Sequence, residues 1–161
     1  MHNFKRELYL KIIFIISCTA LVSAFFIEYA LGYQPCNLCL IERIPYGISI
    51  ILVITIFILK KNEDFFIMLL ILTFIFSLVI SIYHFGIEQG FFPESSVCGT
   101  KDFNENITKE DLLELLSQER VSCKDVTFRI FGLSLTSINI VISLLLILTL
   151  TKIFANYEKK R

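Results

Sequence analysis

Four of the five cysteines in this 161-residue chain fall in two stretches flanked by very apolar sequence. Cys36 and Cys39 enclose Asn37 and Leu38, and Arg43 stands four residues beyond Cys39. Cys98 and Cys123 lie far downstream. A C-x-x-C dithiol can be oxidised and reduced repeatedly, but the same spacing also serves zinc sites and haem attachment. Haem attachment needs a histidine directly after the second cysteine, where this chain has Leu40. Zinc could gather Cys36, Cys39, Cys98 and Cys123 as four thiolates. The second pair is too widely spaced for a tight knuckle, so no metal is expected.

A redox dithiol here has a physical mechanism. A helix starting near Cys39 would place its N-terminal amides and dipole beside that sulfur and favour a thiolate. Arg43, four residues on, shares that helix face. A guanidinium at that distance would lower the thiol's pKa further; the competing reading is an interfacial anchor. His84 closes a later apolar stretch on the same side, so Arg43 and His84 can frame a polar headgroup at one depth. A lone histidine at a helix end is otherwise an interfacial residue. The other histidine, His2, falls at the opposite face, which excludes bis-histidine haem ligation within one chain.

The elements that must hold these residues are apolar helices. The chain is 55% hydrophobic and 19% charged, with a mean hydropathy of +0.72. Soluble domains run about 45–50% apolar and about 25% charged. Crossing a hydrocarbon core of about 30 Å takes about 20 helical residues. Four stretches meet this, at about 12–31, 40–59, 65–84 and 130–151, with outer loops at 32–39 and 85–129. The expected fold is therefore an all-α membrane protein, a four-transmembrane-helix bundle forming one integral membrane domain. Pro45 should leave an irregular or kinked first turn in the second span, because it lacks an N–H for the carbonyl of Ile41. Thr108-Lys109-Glu110-Asp111, followed by Leu112, Leu113, Leu115 and Leu116, predicts a short amphipathic helix in the long outer loop.

Charge sets the orientation. Lys5, Arg6, Lys11, Lys60, Lys61, Lys152, Lys159, Lys160 and Arg161 lie on one side. Arg43, Lys101, Lys109, Arg120, Lys124 and Arg129 lie on the other. The positive-inside rule puts both termini in the cytoplasm. All four loop cysteines then face outward, where disulfides persist. Val22-Ser23-Ala24 could pass for a signal-peptidase site, but the apolar run continues to Leu31, which favours a retained span. Glu28 is an acid near the outer end of span one, either functional or reaching water. Cys18 reads as a packing residue, and Asn139 as a bond to a neighbouring helix. Zero net charge and the absence of a basic patch interleaved with aromatics leave a nucleic-acid partner unsupported.

Together these residues resemble the DsbB family of membrane disulfide oxidases. The carrying segments are Pro35 to Arg43, Tyr83-His84-Phe85-Gly86-Ile87-Glu88-Gln89, Cys98, Cys123 and Phe131-Gly132-Leu133-Ser134. The resemblance covers nearly the whole chain in the same four-span order. It implies a Cys98–Cys123 disulfide that oxidises a soluble periplasmic thioredoxin-fold partner, a DsbA-like protein, through a mixed disulfide at Cys98. It implies onward transfer to a Cys36–Cys39 pair, through a Cys36–Cys123 bond. Cys39 would face a membrane quinone, ubiquinone or menaquinone, bound with Arg43 and His84. The implied setting is the bacterial inner membrane. Two other readings stand beside it. One is a dedicated-substrate thiol–disulfide oxidoreductase of the same fold. The other is a non-enzymatic four-span scaffold with structural disulfides, against which stands the small entropic gain from so short a C-x-x-C loop.

Overall fold

The computed structural model describes residues 2–60, 62–94, 98, 121–124, 128–130 and 132–158. The amphipathic helix expected at 108–116 lies outside them. Four long helices dominate: α1 (His2–Phe25), α2 (Asn37–Leu59), α3 (Glu63–Glu88) and α4 (Leu135–Glu158). Each contains a segment long and apolar enough to cross a membrane: Arg6–Ala30, Asn37–Leu59, Glu63–Glu88 and Leu135–Ala155. The first of these runs past α1 through a π-helical turn, Phe26–Ala30.

The helix ends follow from local chemistry. Cys36, in extended geometry, caps α2, and its sulfur accepts the Cys39 N–H at 3.2 Å. Pro45 sits fully buried within α2, yet the helix runs unbroken from Asn37 to Leu59. Helical structure thus continues through the segment where an irregular or kinked turn was expected. With the helix beginning at Asn37, Pro45 falls in its third turn and is buried there. Lys60 and Asn62 adopt left-handed backbone (φ 46° and 54°) and reverse the chain, and Glu63 and Asp64 meet the positive end of α3. At the far end of α3, the N–H groups of Phe91 and Phe92 bond back to the Gly86 carbonyl at 2.8 and 3.1 Å. The Phe92 ring lies so close that a Cβ on Gly86 would come within 2.2 Å of it. Before α4, Arg129–Ile130 and Leu133–Ser134 pair as a two-stranded antiparallel ribbon turned at Gly132 (φ +84°). The Ser134 hydroxyl accepts the Ser137 N–H at 3.2 Å and so caps α4. The ribbon takes residues that apolarity alone assigned to the fourth span.

Packing runs in sequence: α1 on α2, α2 on α3, α3 on α4, while α4 hardly touches α1. Leu10, Val53, Ile67, Phe74 and Leu150 fill the shared core. Small hydroxyls pair between helices, Ser17 with Ser49 at 2.7 Å and Ser77 with Ser143 at 3.1 Å, as suits close helix contact in lipid. Ile51, Ile58, Leu72, Val79, Val141 and Leu145 point outward, exposed, while His84, Glu42, Ser81 and Asn139 are buried. Apolar outside and polar inside is the arrangement a lipid solvent selects.

Candidate functional site

The sulfurs of Cys36 and Cys39 lie 2.6 Å apart at the head of α2. Cys36 also meets the ring of His84, with Sγ 3.5 Å from Nε2. With the pair reduced, the hydrogen bond between the two thiols holds Cys36 down to about 5 from an ordinary 9.0. Burial opposes that shift and the His84 ring reinforces it. The ionising sulfur is thus the capping one, Cys36, whereas helix position alone had favoured Cys39. Cys98 and Cys123 form a disulfide, each 2% exposed, in one buried cluster with Cys36, Leu38 and Ile87. That bond leaves no four-thiolate zinc arrangement. Cys36, Cys39 and His84 keep donor atoms within 4.8 Å of one another.

Arg43 turns to α1. Its guanidinium pairs with Glu28 and lies 5.2 Å from the centre of the Phe25 ring. The π turn that carries Glu28 widens the end of the first span and brings the acid to this cation. Glu28, one of two readings open in the sequence, is thus an ion-pair partner with a side chain only 17% exposed.

His84 lies a turn inside the end of α3 and is 2% exposed. Its Nδ1 stands 3.0 Å from Glu42 Oε1 and 3.2 Å from Thr136 Oγ1. Thr136 donates its hydroxyl to Glu88 Oε1 at 2.7 Å, and that oxygen is 3.9 Å from His84 Nε2. Asn139 donates to Glu42 Oε2 at 3.1 Å and to Ser81 Oγ at 2.7 Å, and accepts from the Tyr46 hydroxyl. Glu42, Glu88, Thr136 and Tyr46 carried no role in the sequence reading. Two signals were available: Glu88 is four residues after His84, on the same helix face, and Glu42 lies three after Cys39. Asn139 does bond neighbouring helices.

A cleft of about 440 Å³ opens between α1 and α4, which hardly touch. Ile15, Ile16, Ala20, Ile138 and Ile142 wall its apolar part, and Cys36, Cys39, Arg43, His84, Glu88 and Cys123 its polar end. This volume falls in the usual range for small-molecule sites. Glu88 Oε2, buried, has no hydrogen-bond partner among the described residues.

The family model described as "Disulfide bond formation protein DsbB" matches residues 6–153. A relative from Rickettsia prowazekii (strain Madrid E), named "Uncharacterized protein RP370", is 29% identical over 137 residues, covering 84% of this chain and 80% of its own. The chain belongs to the DsbB family, whose members are disulfide oxidoreductases of the membrane.

Proposed function

We propose that this DsbB-family chain is a thiol:quinone oxidoreductase that reoxidises a soluble, DsbA-like thioredoxin-fold dithiol oxidase and so sustains disulfide formation. The observation that carries this reading is the placement of both cysteine pairs at one cleft. Cys36, Cys39 and Cys123 all line its polar end, and its remaining walls are apolar surfaces of α1 and α4. In this reading a protein dithiol reduces the outer pair and a lipid-borne acceptor oxidises the inner one.

The chemistry balances as two exchanges. The partner's two thiols reduce Cys98–Cys123, with Cys98 forming the mixed disulfide. Cys123 then attacks Cys36, forming a Cys36–Cys123 bond and releasing Cys39 as a thiol. Cys98, freed when the partner's second thiol closes the partner's disulfide, attacks Cys123, re-forming Cys98–Cys123 and releasing Cys36 as the second thiol. Exchange needs an attacking thiolate and a good leaving thiol. When Cys123 attacks Cys36 the leaving thiol is Cys39; the depressed Cys36 thiol makes Cys36 the readier leaving group in the later step that releases it from Cys123. Quinone, when bound, supplies a two-electron, two-proton acceptor that returns Cys36 and Cys39 to the disulfide. The cleft's donor set suits such a head: the Arg43 guanidinium can donate to a carbonyl oxygen, and the apolar wall can take an isoprenoid chain.

The same reading places the chain in the bacterial inner membrane. Both termini are cytoplasmic and the four loop cysteines periplasmic, on the lysine and arginine asymmetry of the ends. The test is turnover by the purified protein with a soluble quinone and a reduced thioredoxin-fold partner, followed by quinone absorbance. Quinone reduction that stops in Cys39→Ser is expected. No reduction by the unaltered protein, or undiminished turnover in that variant, overturns the reading.

A further inference from the structure

We infer that Cys36, His84 and Glu42 form a thiol–imidazole–carboxylate triad, in which Glu42 is a positioning residue that aims His84 Nε2 at the Cys36 proton. The inference deepens the proposed thiol oxidation at this pair and rests on it only for its biological purpose. Its geometry stands alone.

The hydrogen-bond directions fix the tautomer. Ser81 gives its hydroxyl to the Ser77 carbonyl, so its oxygen accepts from Asn139. Tyr46 donates to Asn139 Oδ1, so the amide nitrogen faces Ser81 and Glu42. Glu42 Oε2 therefore accepts, and Oε1 faces His84 Nδ1 at 3.0 Å. Thr136 has its hydrogen on Glu88, so it too offers Nδ1 only lone pairs. Both neighbours of Nδ1 are acceptors, hence Nδ1 carries a hydrogen. In the neutral ring, Nε2 then carries the free lone pair, 3.5 Å from Cys36 Sγ.

The step this serves is a proton transfer. The Cys36 S–H bond breaks and an Nε2–H bond forms. The thiolate is left beside an imidazolium that Glu42 stabilises through Nδ1–H. No electrons change hands. Those leave later, when the two sulfurs join and the acceptor takes two electrons and two protons. The Cys36 thiol is depressed first by its bond to Cys39 and then, against the opposing effect of burial, by the His84 ring. A group with a lowered pKa favours the folded dithiol fully above its ordinary 9.0, and that advantage is lost as pH falls through about 5. The groups facing the triad are Cys39 from α2, Glu88 from α3, Thr136 and Asn139 from α4, and the Cys98–Cys123 disulfide. Glu28 and Arg43 pair across the cleft.

The experiment reads thiol ionisation, with no quinone or protein partner present. Reduced full-length protein in detergent is alkylated with iodoacetamide from pH 4 to 9, and Cys36 is followed by peptide mass spectrometry. The unaltered protein should show an inflection near 5. Glu42→Gln should move it up by about one unit, about a tenfold loss of rate at pH 5. An unchanged profile in a variant of unchanged helical content overturns the triad. A second measurement needs no variant: the ring ¹⁵N shifts of His84 in the oxidised protein. A protonated Nδ1 is expected, and a neutral ring with its hydrogen on Nε2 overturns the inference. Failure of quinone turnover would strike the proposed function and leave both readouts untouched.

Discussion

Asn139 is the residue whose loss should be felt most widely, because one amide ties three helices. From α4 it donates to Glu42 on α2 at 3.1 Å and to Ser81 on α3 at 2.7 Å, and it accepts from Tyr46 on α2. It is 8% exposed, so water does not readily replace it. Hydrogen bonds between helices in lipid average about 0.6 kcal/mol by double-mutant cycles. A bond to a charged group is worth about 1.5–3 kcal/mol. Two bonds of the first kind and one of the second give about 3 kcal/mol for Asn139→Ala, or about a hundredfold in the folding equilibrium. Leu at this site should cost no less, since it orphans the same three partners and must fit among them. Unfolding in mixed detergent–dodecyl sulfate micelles measures the loss directly. Tyr46→Phe, alone and combined with Asn139→Ala, measures their coupling, expected at about 0.6–1.7 kcal/mol. A loss below about 1 kcal/mol for Asn139→Ala would refute the claim that this amide holds the three helices together.

Arg43→Ala should raise the Michaelis constant for quinone several-fold with the thiol steps intact, measured in the coupled assay. An unchanged constant removes Arg43 from the acceptor site. An impermeant maleimide added to intact cells after reduction should label Cys98, and protection until the membrane is opened would reverse the proposed orientation. Exchanging Glu42 and Arg43 keeps composition and charge but sets a cation against His84 Nδ1–H and the Asn139 amide. The exchanged protein should lose the low-pH alkylation of Cys36, and a wild-type profile in it would remove the need for a carboxylate at position 42.

The spans were legible because apolar length is a one-dimensional property. Phe65 to Tyr83 carries no charge, and no soluble fold hides such a run. The boundaries were less so. His84 reads as a helix end by hydropathy, yet α3 continues through Glu88, where the Thr136 hydroxyl donates to that acid. Ile130 and Leu133 read as membrane span and instead pair in the ribbon that delivers Ser134 as a cap. The cysteines and Arg43 stood out by type and spacing. Glu42 did not, because an acid beside an arginine at a helix start is the common appearance of a solvated end. Its burial depends on α3 and α4 arriving against it, and no local pattern encodes that. The Glu28–Arg43 pair depends likewise on a π turn that apolar periodicity does not reveal.

Adjacency in the chain hides a division of labour between Glu42 and Arg43. Neighbouring helical residues point about 100° apart. Arg43 reaches α1, where Glu28 and Phe25 hold it. Glu42 reaches α3 and α4, where His84 and Asn139 hold it. Cys39 lies three and four residues before them, on the turn above both. The two sulfurs therefore stand between unlike surroundings. Cys36 has an imidazole backed by a carboxylate at 3.5 Å, suited to taking a proton. The cleft mouth beside Cys39 has a guanidinium that its ion pair fixes in place, suited to an electron acceptor that becomes more negative as it is reduced. One helix turn can separate proton handling from electron delivery only if the residues that serve each face opposite neighbours, and the gap between α1 and α4 leaves the second face open to lipid while α3 and α4 close over the first.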